Sequence, residues 1–354
     1  MGRAAEHVIH LPEQALAEGP AAYAGALASG VTRRRLLAGA GGLAIACAAM
    51  PRLGARGLFE AAAARAADDP NVRILVSLYL DGGNDGLNTL VPIADPRYPV
   101  LRSRIGIAPS ATLPIAGQPF GWHPSLAGLK ELYDAGKVAV LPSVDYANPD
   151  QSHFNSQIFW RTGIAGPTRD RSGWLGRAID AIGSTDNPLQ AISIGWDLDP
   201  TLLSRRAPVA TVFDPGSFGF GIPGVWSDDA ALAPYRGATY GARTPAHKAA
   251  QRAYRGAINV YDRLAPLRAE GDNVPAPPIA YPNEDLGRGL RNLARMLGAG
   301  FGTRLATVRQ GGYDTHDAQP GDHAQQLKTL GDSLKAWQAD LDARGLSNRV
   351  LTLV

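Results

Sequence analysis

Residues Ile74-Leu75-Val76-Ser77-Leu78-Tyr79-Leu80 form an apolar run that passes directly into Asp81-Gly82-Gly83-Asn84-Asp85-Gly86-Leu87-Asn88. A run of branched and aromatic residues without polar alternation reads as a strand covered on both faces, and such strands belong mostly to parallel sheets. Glycines just past its end let the backbone bend tightly, which leaves two carboxylates at the strand's C-terminal end, where open α/β sheets bind ligands. The octet alone reads equally well as a polar turn with solvated acids.

The rest of the chain repeats the alternation of helix and strand. Residues 124–135 have helical spacing, with Leu126, Leu129, Leu132 and Tyr133 on one side, and residues 138–141 read as a second strand. That is a βαβ pattern, whose default is a parallel pair. Residues 152–160, 173–182, 245–264, 284–297 and 322–343 read as helices, and residues 191–194, 303–308 and 349–354 as strands. Leu286, Leu290, Leu293 and Leu297 fall on one stripe, as do Leu327, Leu330, Leu334, Trp337 and Leu341. The expected fold is α/β, a mostly parallel sheet sandwiched by helices. Residues 200–240, rich in Gly, Pro and aromatics, read as an irregular insertion or cap. Trp196, Phe218, Phe220 and Trp226 could form a binding surface around it, although packing is the commoner role for such residues. Because the chain stops inside an apolar run, the expectation is a fragment lacking its C-terminal part.

Residues 1–67 read differently. Thr32-Arg33-Arg34-Arg35-Leu36-Leu37 precedes a small-residue stretch from Ala38 to Met50, the layout of an export signal of the twin-arginine type. The stretch is too short and too rich in Gly and Ala for a membrane span, so removal is expected rather than anchoring. The segment holds 7 Arg and 4 Glu, a net of +3 that equals the net charge of the whole chain; the remaining 28 basic and 28 acidic residues balance. With the domain neutral, neither nucleic-acid binding nor a charged membrane surface is indicated. Cys47 is the only cysteine and lies in the signal, so the domain has no disulfide and any metal must be held by Asp, Glu, His or Asn.

Three polar clusters follow expected strands: Asp81/Asp85/Asn88, Ser152/His153 and Asp314/His316. A parallel sheet would gather them on one edge. An Asp and a His two residues apart can give a carboxylate oxygen and an imidazole nitrogen to one cation, but a turn with a hydrogen-bonded His is the commoner arrangement. Ser152 has the place of a helix cap, and the same place suits a nucleophile, since exposed N–H groups there can receive a phosphoryl oxygen. His153 suits a base, a ligand or a packing residue, with a local hydrogen-bonding role the favoured reading, and His323 is a weaker ligand candidate.

Five segments carry a resemblance. Leu80 to Asn88, Trp122-His123-Pro124-Ser125-Leu126, Ser152-His153-Phe154-Asn155-Ser156, Gly173-Trp174-Leu175-Gly176-Arg177 and Gly311-Gly312-Tyr313-Asp314-Thr315-His316 resemble, in order and spacing, the bacterial family called domain of unknown function 1501. That family is similar to the alkaline phosphatase and sulfatase superfamily. The resemblance implies an alkaline-phosphatase-like sheet with one or two divalent metals, and the donors left without cysteine suit Zn, Mn, Mg or Ca. It implies metal ligation by Asp85, with Asp81 as the competing choice, and by Asp314 and His316. It implies Ser152 as nucleophile; Asn88, His153 and His323 stand beside these as supporting candidates from the residues themselves. Tyr313 stands where the family more often has Trp, and Asp314 and His316 are closer together than the superfamily's usual pair. The family pattern continues with Ser-Glu-Phe-Gly-Arg and Thr-Asp-His-Gly, absent from these 354 residues, which implies an incomplete site with weak metal binding. Residues 152–156 do not offer the formylglycine pattern of ordinary sulfatases. The functional expectation is an exported metal-dependent hydrolase of phosphate or sulfate esters, its substrate a small molecule or a polymer and its export partner the twin-arginine machinery. The alternative is a non-catalytic exported binding or assembly protein on the same fold.

Overall fold

The computed structural model describes residues 73–219, 230, 232, 244–269 and 279–354. The export signal, Phe220 and Trp226 lie outside the described residues, as does most of the stretch from 220 to 243. Among the described residues no helix is long and apolar enough to cross a membrane.

In chain order the elements are β1 (Ile74–Leu80), α1 (Gly86–Thr89), β2 (Leu90–Val91), α2 (Arg97–Leu101), β3 (Leu113–Pro114), β4 (Gly121–Trp122), α3 (Ala127–Asp134), α4 (His153–Thr162), α5 (Trp174–Ile182), β5 (Ala191–Ile194), β6 (Ala210–Thr211), α6 (Pro245–Arg263), α7 (Ala265–Ala269), α8 (Asp285–Gly298), β7 (Leu305–Gln310), α9 (Gln319–Ala343) and β8 (Val350–Leu353). Five strands form one all-parallel sheet in the order β6-β5-β7-β1-β8. A second, antiparallel sheet, β2-β4-β3, packs into the same core through Trp122, Leu90 and Leu113; its two-residue strands are too short to leave a periodic signal in the sequence.

The sheet is covered on both faces, as the unbroken apolar runs require. Ile74, Val76, Leu78, Ile192 and Val308 pack with the leucine stripes of α8 and α9 in the larger cluster, while Ala191 and Leu305 pack with Leu175, Ile179 and Leu202 in the smaller one. Neighbouring residues of one strand thus serve opposite layers. The helices seen in the sequence appear with shifts of a few residues at their ends, and the expected strand at 303–308 runs as Leu305–Gln310.

Residues 138–141 do not form a strand. The pairing leaves no room beside β1 for them: its two edges are filled by β7 and β8, so the expected local βαβ pair is replaced by partners from the far end of the chain. Within the stretch expected to be irregular, Ala210–Thr211 joins the sheet beside β5, and Leu202 and Val212 are buried at 0% and 1% exposure. The beginning of that stretch therefore belongs to the core.

Candidate functional site

Leu80 pairs with Gln310, so the C-terminal ends of β1 and β7 lie side by side. The Asp81 N–H donates to the Gln310 carbonyl at 2.8 Å, and the Tyr313 N–H donates to the Asp81 carbonyl at 3.1 Å, tying the two following turns together. Gly82 adopts φ +113°, and a Cβ there would stand 2.4 Å from the backbone nitrogen of Asp314. Only glycine meets both conditions. At Gly83 a Cβ would lie 2.7 Å from Cε1 of His153, which brings the start of α4 against the same turns.

Asp314 is the centre of this junction. Its Oδ1 lies 3.0 Å from Nε2 of His316 and 3.6 Å from Nε2 of His153, and all three side chains are at least half exposed. Next to His153, Ser152 caps α4: its Oγ accepts the Asn155 N–H at 3.5 Å, and its own N–H donates to Asp150 at 2.7 Å. The backbone hydrogen bond from Ser152, followed by that from the Asn155 side chain, holds the Asp150 carboxyl below its ordinary range. The cap and the acid–imidazole cluster thus meet through consecutive residues, Ser152 and His153.

Asp81 reaches the same side of the molecule by other contacts. It accepts a 2.7 Å hydrogen bond from Nε2 of Gln157 in α4 and lies 3.6 Å from Nη1 of Arg309 at the end of β7. Asp85 is placed otherwise. It caps α1 by accepting the Asn88 N–H at 3.2 Å, lies 2.5 Å from Nη1 of Arg102, and accepts from Nε2 of Gln319. A carboxylate so paired is already compensated by a cation. Asn88 is buried, donating to the Ile105 carbonyl at 2.9 Å and accepting from the Tyr98 hydroxyl at 2.6 Å, so it pins a loop.

His323 is also buried, with Nε2 2.9 Å from Oδ1 of Asn84. Its ring meets His123 and Tyr313 edge-on, at centroid distances of 5.7 Å and 6.2 Å. Burial lowers the pKa of His323, and burial with the neighbouring imidazole lowers that of His123 to about 4. Burial pushes the Tyr313 phenol upward, so it stays a neutral donor to Gln310 at 3.1 Å.

The structure therefore brings together Ser152, His153, Asp314 and His316, with Asp81 nearby, and draws Asp85, Asn88 and His323 into a separate polar layer with Arg102, Gln319 and Asn84. Sequence reading missed Arg102, Gln157, Arg309 and Gln319. None of them stands in a motif, and only the tertiary fold reveals their partners. Among the described residues no group of three or more His, Cys, Asp or Glu side chains is arranged to hold a metal ion. The carboxylates of Asp314 and Asp81 and the imidazole of His316 nevertheless fit Zn or Mn in chemical type.

Residues 250–354, from within α6 to the end of the chain, match a protein-family model described as Protein of unknown function (DUF1501). They include the Asp314-Thr315-His316 turn. No curated protein and no solved structure matches the chain.

Proposed function

We propose that the protein is an exported metal-dependent hydrolase of phosphate or sulfate esters. The observation that supports this most directly is the Asp314 carboxylate at the C-terminal ends of parallel strands, flanked by His153 and His316, with Ser152 as the residue before His153 at the start of α4. Asp314 and His316, with Asp81 beside them, would hold a divalent ion. That ion would supply Lewis acidity toward the ester oxygens and the serine hydroxyl. Ser152 would attack the phosphorus or sulfur with release of the alcohol, and water would then free the Ser152 ester. His153, the residue after Ser152, with its Nε2 3.6 Å from Asp314, would take the hydroxyl proton. The His153 and Phe154 N–H groups at the start of α4 would face the developing negative charge.

The test is hydrolysis of 4-nitrophenyl phosphate, bis(4-nitrophenyl) phosphate and 4-nitrocatechol sulfate with Zn or Mn, alongside calorimetric titration of the metal. Turnover of one substrate class is expected, with Ser152→Ala lowering kcat by at least about a thousandfold and Asp314→Asn weakening metal binding. A folded, metal-loaded protein inert toward all three would sink the proposal. The alternative, a non-catalytic binding or assembly protein, is favoured by the neutralisation of Asp85 by Arg102, and it predicts no calorimetric metal uptake.

A further inference from the structure

The sheet edge that carries the candidate site also carries an aromatic surface. Two residues beyond the end of β5, Trp196 is 82% exposed, although its ring stacks on Phe213 at 5.0 Å with an interplanar angle of 28°. Phe213 follows β6 by two residues, and the guanidinium of Arg288 lies 5.9 Å from its ring. One indole face is therefore supported and the other is left open. Because β5 pairs with β7 and β6 pairs with β5, the strands that lead into this pair lie one and two places from the strand that delivers Asp314, at the same end of the sheet. Asp197, the next residue, is exposed as well.

We infer that Trp196 and Asp197 form a subsite for a neutral pyranose ring, so that the ester handled at Ser152 is carried by a saccharide. The open indole face presents the negative side of its π system, which attracts the polarised C–H groups on the flat face of a sugar. The Asp197 carboxylate is an acceptor for neighbouring hydroxyls. Such a carboxylate disfavours an anionic group directly on the platform, so the subsite takes the neutral ring and leaves the phosphate or sulfate to the site at Ser152. An aryl ligand would use the indole but leave Asp197 without a role. The identity of the esterified substrate rests on the hydrolase reading; binding of the ring does not.

The experiment is native electrophoresis of the full chain through gels cast with laminarin, dextran or galactomannan, compared with a gel without polymer. The expected result is retarded migration in at least one polymer, lost in Trp196→Ala, retained in Trp196→Phe and retained in Ser152→Ala. Trp196 is outside the core, so circular dichroism should show Trp196→Ala folded. Unretarded migration in all three polymers, or equal retardation of Trp196→Ala and the parent, overturns the subsite. A raised KM of Trp196→Ala for a nitrophenyl ester without retardation in any gel assigns the platform to aryl groups and also overturns it. Retardation by a protein inert in every hydrolysis assay upholds the subsite and removes only the hydrolase reading.

Discussion

His123, at 6% exposure, accepts the Ser125 N–H at Nδ1 and faces His323 edge-on. Its folded pKa of about 4 lies below the ordinary 6.5, first because burial penalises the cation and then because His323 is adjacent. The unfolded imidazole takes its proton near pH 6.5, so between there and pH 4 the unfolded state holds more protons. Stability therefore falls as pH drops through that window, by on the order of 3 kcal/mol in all. Urea midpoints at pH 7 and pH 5 should show this slope, and His123→Gln should flatten it; an unchanged slope in the variant would remove His123 as the cause. At this scale the sequence conveyed which residue types could do chemistry, but not their charge environment. Asp314 and His316 could be paired from their spacing and the glycines before them. The neutralisation of Asp85 could not, because Arg102 lies 17 positions away in a loop and Gln319 arrives on another helix.

Where α3 crosses α9, Gly128 and Gly331 let the two helices approach closely. A Cβ at Gly128 would lie 2.7 Å from the Gly331 carbonyl oxygen, whereas a Cβ at Gly331 would meet nothing nearer than 3.5 Å. The two alanine substitutions should therefore differ in sign. Gly128→Ala forces the helices apart and should cost about 1–3 kcal/mol. Gly331→Ala keeps ordinary contacts and gains helix propensity, so it should be neutral or stabilising by up to about 1 kcal/mol. Thermal unfolding of the two variants decides this; equal destabilisation would mean that the crossing is not limited by Gly128. Helices such as α8 and α9 were legible in the sequence because a one-sided leucine stripe is a local property. The failure at residues 138–141 has a non-local cause, since an apolar run becomes a strand only where a neighbour has free hydrogen-bonding groups. With β7 and β8 filling both edges of β1, Val138 and Val140 remain half-buried without a ladder.

For the whole molecule, the class of fold was readable and the strand order was not. Continuous apolar strands between helical stripes imply a covered parallel sheet, but β1 lies between strands that begin at Leu305 and Val350, and nothing near residue 74 names those partners. The same distinction applies to the site: the edge on which Ser152 and Asp314 would meet follows from a parallel sheet, whereas the contact through His153 follows from Gly83. Charge, by contrast, is a whole-chain property that the sequence states directly. The 7 arginines and 4 glutamates of residues 1–67 account for the entire net charge of +3, so export with removal of that segment would leave a formally neutral domain. Expressed in a host with a working twin-arginine pathway, the exported protein should focus well below the full chain's isoelectric point of about 9.0, while Arg33→Lys/Arg34→Lys should keep the basic form inside the cell. Exported protein that still focuses near 9.0 would contradict removal, and unchanged export of the double variant would contradict the twin-arginine route. Because a charge difference confined to one terminal segment is read by focusing without any assay of activity, this result stands independently of what the domain hydrolyses or binds.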